Sequence, residues 1–157
     1  MGNDRFVYVT YIRTTAEKLW AALIDPEFTR QYWFGSTQKS DWKPDSSWQL
    51  IGADGKVTDT GSVLEIVPPT RLVISWRNEF RPELKAEGFS RATFELEAQA
   101  DVVKLTVTHE IGKEGSKFIQ SVSGGWPMVL SGLKSLLETG EVLVITRKPK
   151  TCAGSDA

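Results

Sequence analysis

The fold turns on one long stretch near the end of the chain, Lys117 to Gly140, which reads KFIQSVSGGWPMVLSGLKSLLETG. Phe118, Val122, Trp126, Val129, Leu133, Leu136 and Leu137 recur there at steps of three and four. That spacing puts them on one face of an α-helix, and such a stripe has to be buried against something. Gly140 suits the left-handed cap that ends a helix. Pro127 lacks the N–H that would bond back one turn, so a kink or a fresh start is expected beside Gly124 and Gly125. The half from Val129 to Leu137 reads as core. The half from Phe118 to Trp126 reads as a mobile entrance.

The surface that this helix covers lies upstream. From Gly35 to Ile111 the chain reads as strands and turns. Trp48 and Leu50 alternate with polar neighbours, and Asp54-Gly55 is a hairpin signal. Val57 to Val67 reads as a long strand, broken by Pro68-Pro69, and Arg71 to Arg77 as the next. Arg81 to Gly88 reads as a loop. Ser90 to Ala100 alternates with Ala92, Phe94, Leu96 and Ala98 on one face, and Arg91, Thr93, Glu95 and Glu97 on a wet one. After a tight connection at Ala100-Asp101, Val103, Leu105, Val107, His109 and Ile111 share a face. At the start of the chain, residues 5–13 read as a strand. Thr14-Thr15-Ala16-Glu17 fits a capping box for a helix through Leu19, Trp20 and Leu23. Asp25-Pro26 opens a second short helix to about Gln31. Strand, two helices, about six strands and one long helix amount to an α+β domain.

The totals bound the function. A length of 157 residues fits one domain, expected over 1–148 with a flexible tail at 149–157. The 19 basic and 20 acidic residues leave no surplus to drive phosphate binding, so nucleic acid is not expected as a partner. The single cysteine, Cys152, makes no internal disulfide and no metal cluster. The polar start, Met1 to Arg5, lacks the apolar core of a signal peptide, and no run is long enough to insert in a membrane. A cytoplasmic protein without cofactor is expected.

Several stretches together resemble one superfamily. They are Thr15-Ala16-Glu17-Lys18-Leu19-Trp20-Ala21-Ala22-Leu23 with Asp25-Pro26, Gly61 to Pro69 with Arg71 to Trp76, Leu105 to His109, and Gly125-Trp126-Pro127 with Leu130, Leu133 and Leu137. In order and spacing they are similar to the START-like (SRPBCC) superfamily. The branch they resemble includes the C-terminal domain of the activator of the Hsp90 ATPase. The resemblance covers about residues 5–140. It implies a helix-grip fold, with a curved antiparallel sheet of about seven strands around the long helix and an internal cavity. It implies first a non-enzymatic binding protein for lipids or other apolar or aromatic molecules; the alternatives are a co-chaperone-like module linked to stress response, and a cyclase or hydrolase using His109. Oligomeric state is left open.

The candidate site follows from the inward faces. An apolar or aromatic ligand in the cavity would meet Trp48, Trp76, Phe94, Val107, His109, Phe118, Val122, Trp126 and Leu130. His109 is the only histidine. It reads either as a polar handle or general base in the cavity, or as a satisfied core imidazole. No catalytic or metal-binding set can be assembled around it. Glu65 reads as an outward or edge residue pairing across strands. Trp20 and Trp33 read as core, and Trp42 as a loop aromatic that could serve as a lid or partner anchor.

Overall fold

The computed structural model describes residues 4–147. The tail expected at 149–157 lies outside the described residues. β1 (Asp4–Ile12) leads into α1 (Ala16–Ile24) and α2 (Pro26–Tyr32). Six strands follow: β2 (Thr37–Ser40), β3 (Ser47–Ile51), β4 (Val57–Val67), β5 (Arg71–Asn78), β6 (Ser90–Gln99) and β7 (Val102–Ile111). One helical turn, α3 (Pro82–Lys85), separates β5 from β6. The long helix is α4 (Lys117–Thr139), and another turn, α5 (Val144–Arg147), comes after it.

All seven strands form one curved antiparallel sheet in the order β1-β7-β6-β5-β4-β3-β2. β2 to β7 each pair with their sequence neighbours, β5 and β6 through the segment that carries α3. β1 is the exception and pairs with β7, Asp4 opposite Ile111 through to Ile12 opposite Val103. The inner face buries Trp48, Val63, Leu72, Ile74, Trp76, Ala92, Phe94, Leu105 and Val107 against α4, which returns Phe118, Trp126, Val129, Leu130 and Leu133. This is the helix-grip architecture.

Local chemistry explains the boundaries. Asp25 Oδ1 accepts from the Glu27 N–H at 2.9 Å, with Pro26 in the first turn of α2. Gly140 ends α4 at φ 85°, its N–H bonded to the Leu136 carbonyl. Ala100 takes φ 53° in the two-residue β6–β7 turn. At Gly61 a Cβ would stand 1.7 Å from the Ser75 carbonyl oxygen, so only glycine fits where β4 crosses β5.

Three expectations are corrected. The α1 cap is Thr15, whose Oγ1 accepts from the Lys18 N–H at 3.2 Å; Glu17 is therefore one residue too early to reach back in a capping box. Residues 81–88 are not all loop. Asn78 Oδ1 accepts the Phe80 and Arg81 N–H groups, Pro82 starts a turn of helix, and Leu84 is buried beneath it. α4 also makes no fresh start at Pro127, since the helix runs unbroken from Lys117 to Thr139.

Candidate functional site

The inner face brings the nine expected residues together, and all but the half-buried Val122 are buried. They meet as touching rings. Trp76 is central, with ring centroids 4.4 Å from Trp48, 5.2 Å from His109, 5.7 Å from Trp126 and 6.1 Å from Trp33. Trp126 adds Trp33 at 5.4 Å and Phe94 at 5.6 Å, and Phe118 stands edge-on to His109 at 5.1 Å. Each such pair contributes about 0.5–1.5 kcal/mol beyond the area it buries. These rings pack against one another beneath α4. Two surface hollows of about 370 and 430 Å³ lie elsewhere, and neither is lined by α4.

The side-chain polar atoms of Trp48, Trp76, Trp126 and His109 are matched internally. Three indole N–H groups each reach a buried acceptor. Trp48 donates to Gln38 Oε1 at 2.9 Å, Trp76 to Asp59 Oδ2 at 2.8 Å, and Trp126 to His109 Nδ1 at 3.1 Å. An indole N–H can only donate, so Nδ1 of His109 is the acceptor and the ring proton sits on Nε2. Nε2–H donates to Ser90 Oγ at 2.8 Å, and the Ser90 hydroxyl donates to the Trp76 carbonyl at 2.9 Å. Gln38 closes its own chain by donating to the Leu23 carbonyl. Among the described residues the one buried side-chain polar atom lacking a partner is Thr29 Oγ1, on α2 and outside the ring cluster.

This wiring decides what His109 can do. Burial of the ring pushes its pKa down to about 3, so it is neutral at physiological pH. A Ser–His hydrolase needs the imidazole to accept the serine proton. Here the polarity is reversed, and both ring nitrogens are engaged. The satisfied-imidazole reading fits this geometry. Among the described residues no group of three or more His, Cys, Asp or Glu could hold a metal.

Asp59 was not expected. It is 7% exposed, and burial raises its pKa from 3.8 to about 6. Hydrogen bonds from Thr58, Trp76 and Asn78 oppose the rise, and the nearby negative charge of Glu79 adds to it. Glu79 is itself held down to about 2 by hydrogen bonds from Arg77, Thr60 and Lys85. A period-two reading of β4 would have found Asp59, two and four residues before Gly61 and Val63 on the same face. Ser90 likewise leads Ala92 and Phe94.

The end of α4 read as a mobile entrance is tied down. Asp4 Oδ2 accepts the Ser116 N–H at 2.7 Å, and Glu87 Oε2 accepts the Lys117 N–H at 2.9 Å. Ser116 Oγ donates to Glu87 Oε1 and accepts from the Ile119 N–H at 3.0 Å. Two carboxylates thus sit at the positive end of the helix dipole. Glu65 lies outward as expected, its Oε2 3.0 Å from Arg71 Nε. Trp33 is in the core, Trp20 is half-buried against it, and Trp42 stands in its loop at φ 55°, half-buried.

The comparisons with known proteins agree with this architecture. No curated protein matches the chain. Among solved structures, ChR145 from Cytophaga hutchinsonii is 30% identical, with a TM-score of 0.69 over 87% of this chain and 96% of that one. The Aha1 dimer from Colwellia psychrerythraea is 18% identical, with a TM-score of 0.68 over 87% of this chain and 98% of that one. PFC0360w, an HSP90 activator from Plasmodium falciparum, is 21% identical, with a TM-score of 0.69 over 85% and 95%. The family model described as "Activator of Hsp90 ATPase homolog 1-like protein" matches residues 13–138, and the chain belongs to that family.

Proposed function

We propose that this chain is a protein-interaction module of the co-chaperone type, with an Hsp90-type ATPase as its partner, and not a carrier of a small apolar molecule. The observation that carries this reading is the ring-packed, internally hydrogen-bonded interior. Four indoles, Phe94, Phe118 and His109 pack against one another under α4, and three indole N–H groups are matched from within. A carrier pocket presents a few convergent polar groups to its ligand. Here Gln38, Asp59, Ser90 and His109 are committed to the protein itself. Membership of the activator-like family supports the partner class.

The test pairs two measurements. Binding to an Hsp90-type chaperone is followed by calorimetry, alongside the chaperone's rate of ATP hydrolysis. A panel of apolar and aromatic compounds is screened for thermal stabilisation of the chain alone, since a ligand raises stability by mass action. The proposal expects binding with an altered hydrolysis rate and no stabilising compound. A strongly stabilising compound, with no chaperone binding, would return the function to ligand carriage.

A further inference from the structure

The sheet has two open edges, β1 and β2. β2 is four polar residues, Thr37 to Ser40. β1 is nine residues long and exposes Val7 (49%), Val9 (44%) and Tyr11 (47%) on the outer face. Soluble proteins usually blunt a long apolar edge with charge or cover. In this chain only half of β1 is blunted. Lys134 Nζ donates to the Tyr11 carbonyl at 2.6 Å, and Glu138 Oε2 accepts the Arg13 N–H at 2.8 Å. Lys134 reaches Tyr11 from the side away from β7. In an antiparallel ladder both backbone groups of a residue point the same way, and successive residues alternate. Arg5, Val7 and Val9 therefore direct their N–H and C=O groups to the open edge, and no backbone partner meets them there among the described residues.

We propose that a second copy of this chain covers that edge. β1 pairs antiparallel with β1 of the other copy about a two-fold axis at Val7, joining two seven-stranded sheets into one. The strand is complementary to itself in this register: donors meet acceptors, Val7 faces Val7 of the partner subunit, and Arg5 faces the partner's Val9. Every residue whose backbone pairs comes from the unblunted half. Centring on Val9 instead would oppose Arg5 to the partner's Arg13, two like charges. It would also need the Tyr11 carbonyl and Arg13 N–H already taken by Lys134 and Glu138. The pairing sets Val7 beside Val7 of the partner subunit and lays the aliphatic stem of the partner's Arg5 along Val9, covering this part of the apolar row in a closed, isologous contact. This goes beyond the chaperone reading and stands without it.

Sedimentation velocity over a range of concentrations tests the assembly, and cysteine cross-linking tests the register. The wild-type chain is expected at twice the chain mass. Val7→Lys is expected to run as a monomer with an unchanged far-ultraviolet circular dichroism spectrum, since the side chain is half-exposed, and with a melt that no longer depends on protein concentration. In a Cys152→Ser background, Val7→Cys should link to itself on oxidation, its Cα about 5.5 Å from its mate. Val9→Cys should not, because its mates stand about 13 Å or more apart in this register. A wild-type monomer at every concentration overturns the proposal. So does a dimer that survives Val7→Lys, self-linking at Val9 in place of Val7, or β1 occupied only by a strand of a different protein.

Discussion

Asp59→Asn should turn an acid-tolerant fold into an acid-sensitive one, although it removes a buried charge. Two buried groups set the reasoning. The Asp59 carboxyl is raised by burial to about 6 in the fold, against 3.8 when free. Its stabilising contribution is fully present below the unfolded value and is lost as pH rises through 6. The amount is about 3 kcal/mol, at ~1.4 kcal/mol per pKa unit. His109 has the opposite sign. Its ring is lowered from 6.5 to about 3, so its contribution is present above 6.5 and is lost as pH falls. Between pH 4.5, below which Glu79 begins to matter, and pH 6, the fold holds one more proton at Asp59 and one fewer at His109 than the unfolded chain. The two slopes cancel there, and stability should be nearly level. With Asn at 59 only the histidine slope remains, and about 2 kcal/mol should be lost between those limits. At neutral pH the same variant should be at least as stable as wild type, because no charge is buried and the Trp76 N–H keeps an acceptor. Urea unfolding followed by far-ultraviolet circular dichroism at several pH values measures both effects. If the variant keeps the level wild-type profile, the opposed-titration account is wrong.

Three other substitutions probe separate parts of the structure. His109→Ala leaves the Trp126 N–H without its acceptor in a new cavity and should cost about 2–4 kcal/mol; between pH 4.5 and 6 the variant should lose stability as pH rises, the mirror of Asp59→Asn. Chaperone binding by the fraction still folded should be unchanged, which a calorimetric titration below the melting temperature checks. Gly61→Ala drives a methyl onto the Ser75 carbonyl and should destabilise by about 3 kcal/mol or fail to fold, as measured by expression and denaturant midpoint. Glu87→Ala strips the acceptor for Ser116 and Lys117 at the start of α4 and should cost about 1–2 kcal/mol, with faster amide exchange confined to the first turn.

The succession of elements and the covering helix were legible because periodicity reports burial directly. The inward sets on β6, β7 and α4 could each be read from alternation or from steps of three and four. The interior was harder, for a physical reason. The same side chains serve to line a hollow or to fill one, and the difference is set by ring-to-ring distances that no single residue carries. Trp76 on β5 meets Trp48 on β3 across the intervening β4, so three separated stretches decide the packing. His109 is similar. Its inward direction followed from Leu105 and Val107, but its tautomer depends on Trp126 and Ser90, one on another element and one on the neighbouring strand. Asp59 was overlooked because a carboxylate in a strand is normally read as wet, while the indole that makes its burial tolerable lies 17 residues later.

The pairing of β1 with β7 has a bearing on synthesis. β1, made before the other six strands of the sheet, finds its neighbour there among residues 102–111, about a hundred residues later. Every other strand meets a partner within a hairpin's reach. Closure of so long a loop is slow, and contacts this distant form after local ones. During elongation β2 to β6 can zip together while β1 waits with both edges bare and Val7, Val9 and Tyr11 unshielded. The nascent domain is therefore most exposed to mispairing at β1 until β7 emerges. α4 must follow later still, because Asp4, one of the two carboxylates that hold its first turn, comes into place only with that last pairing.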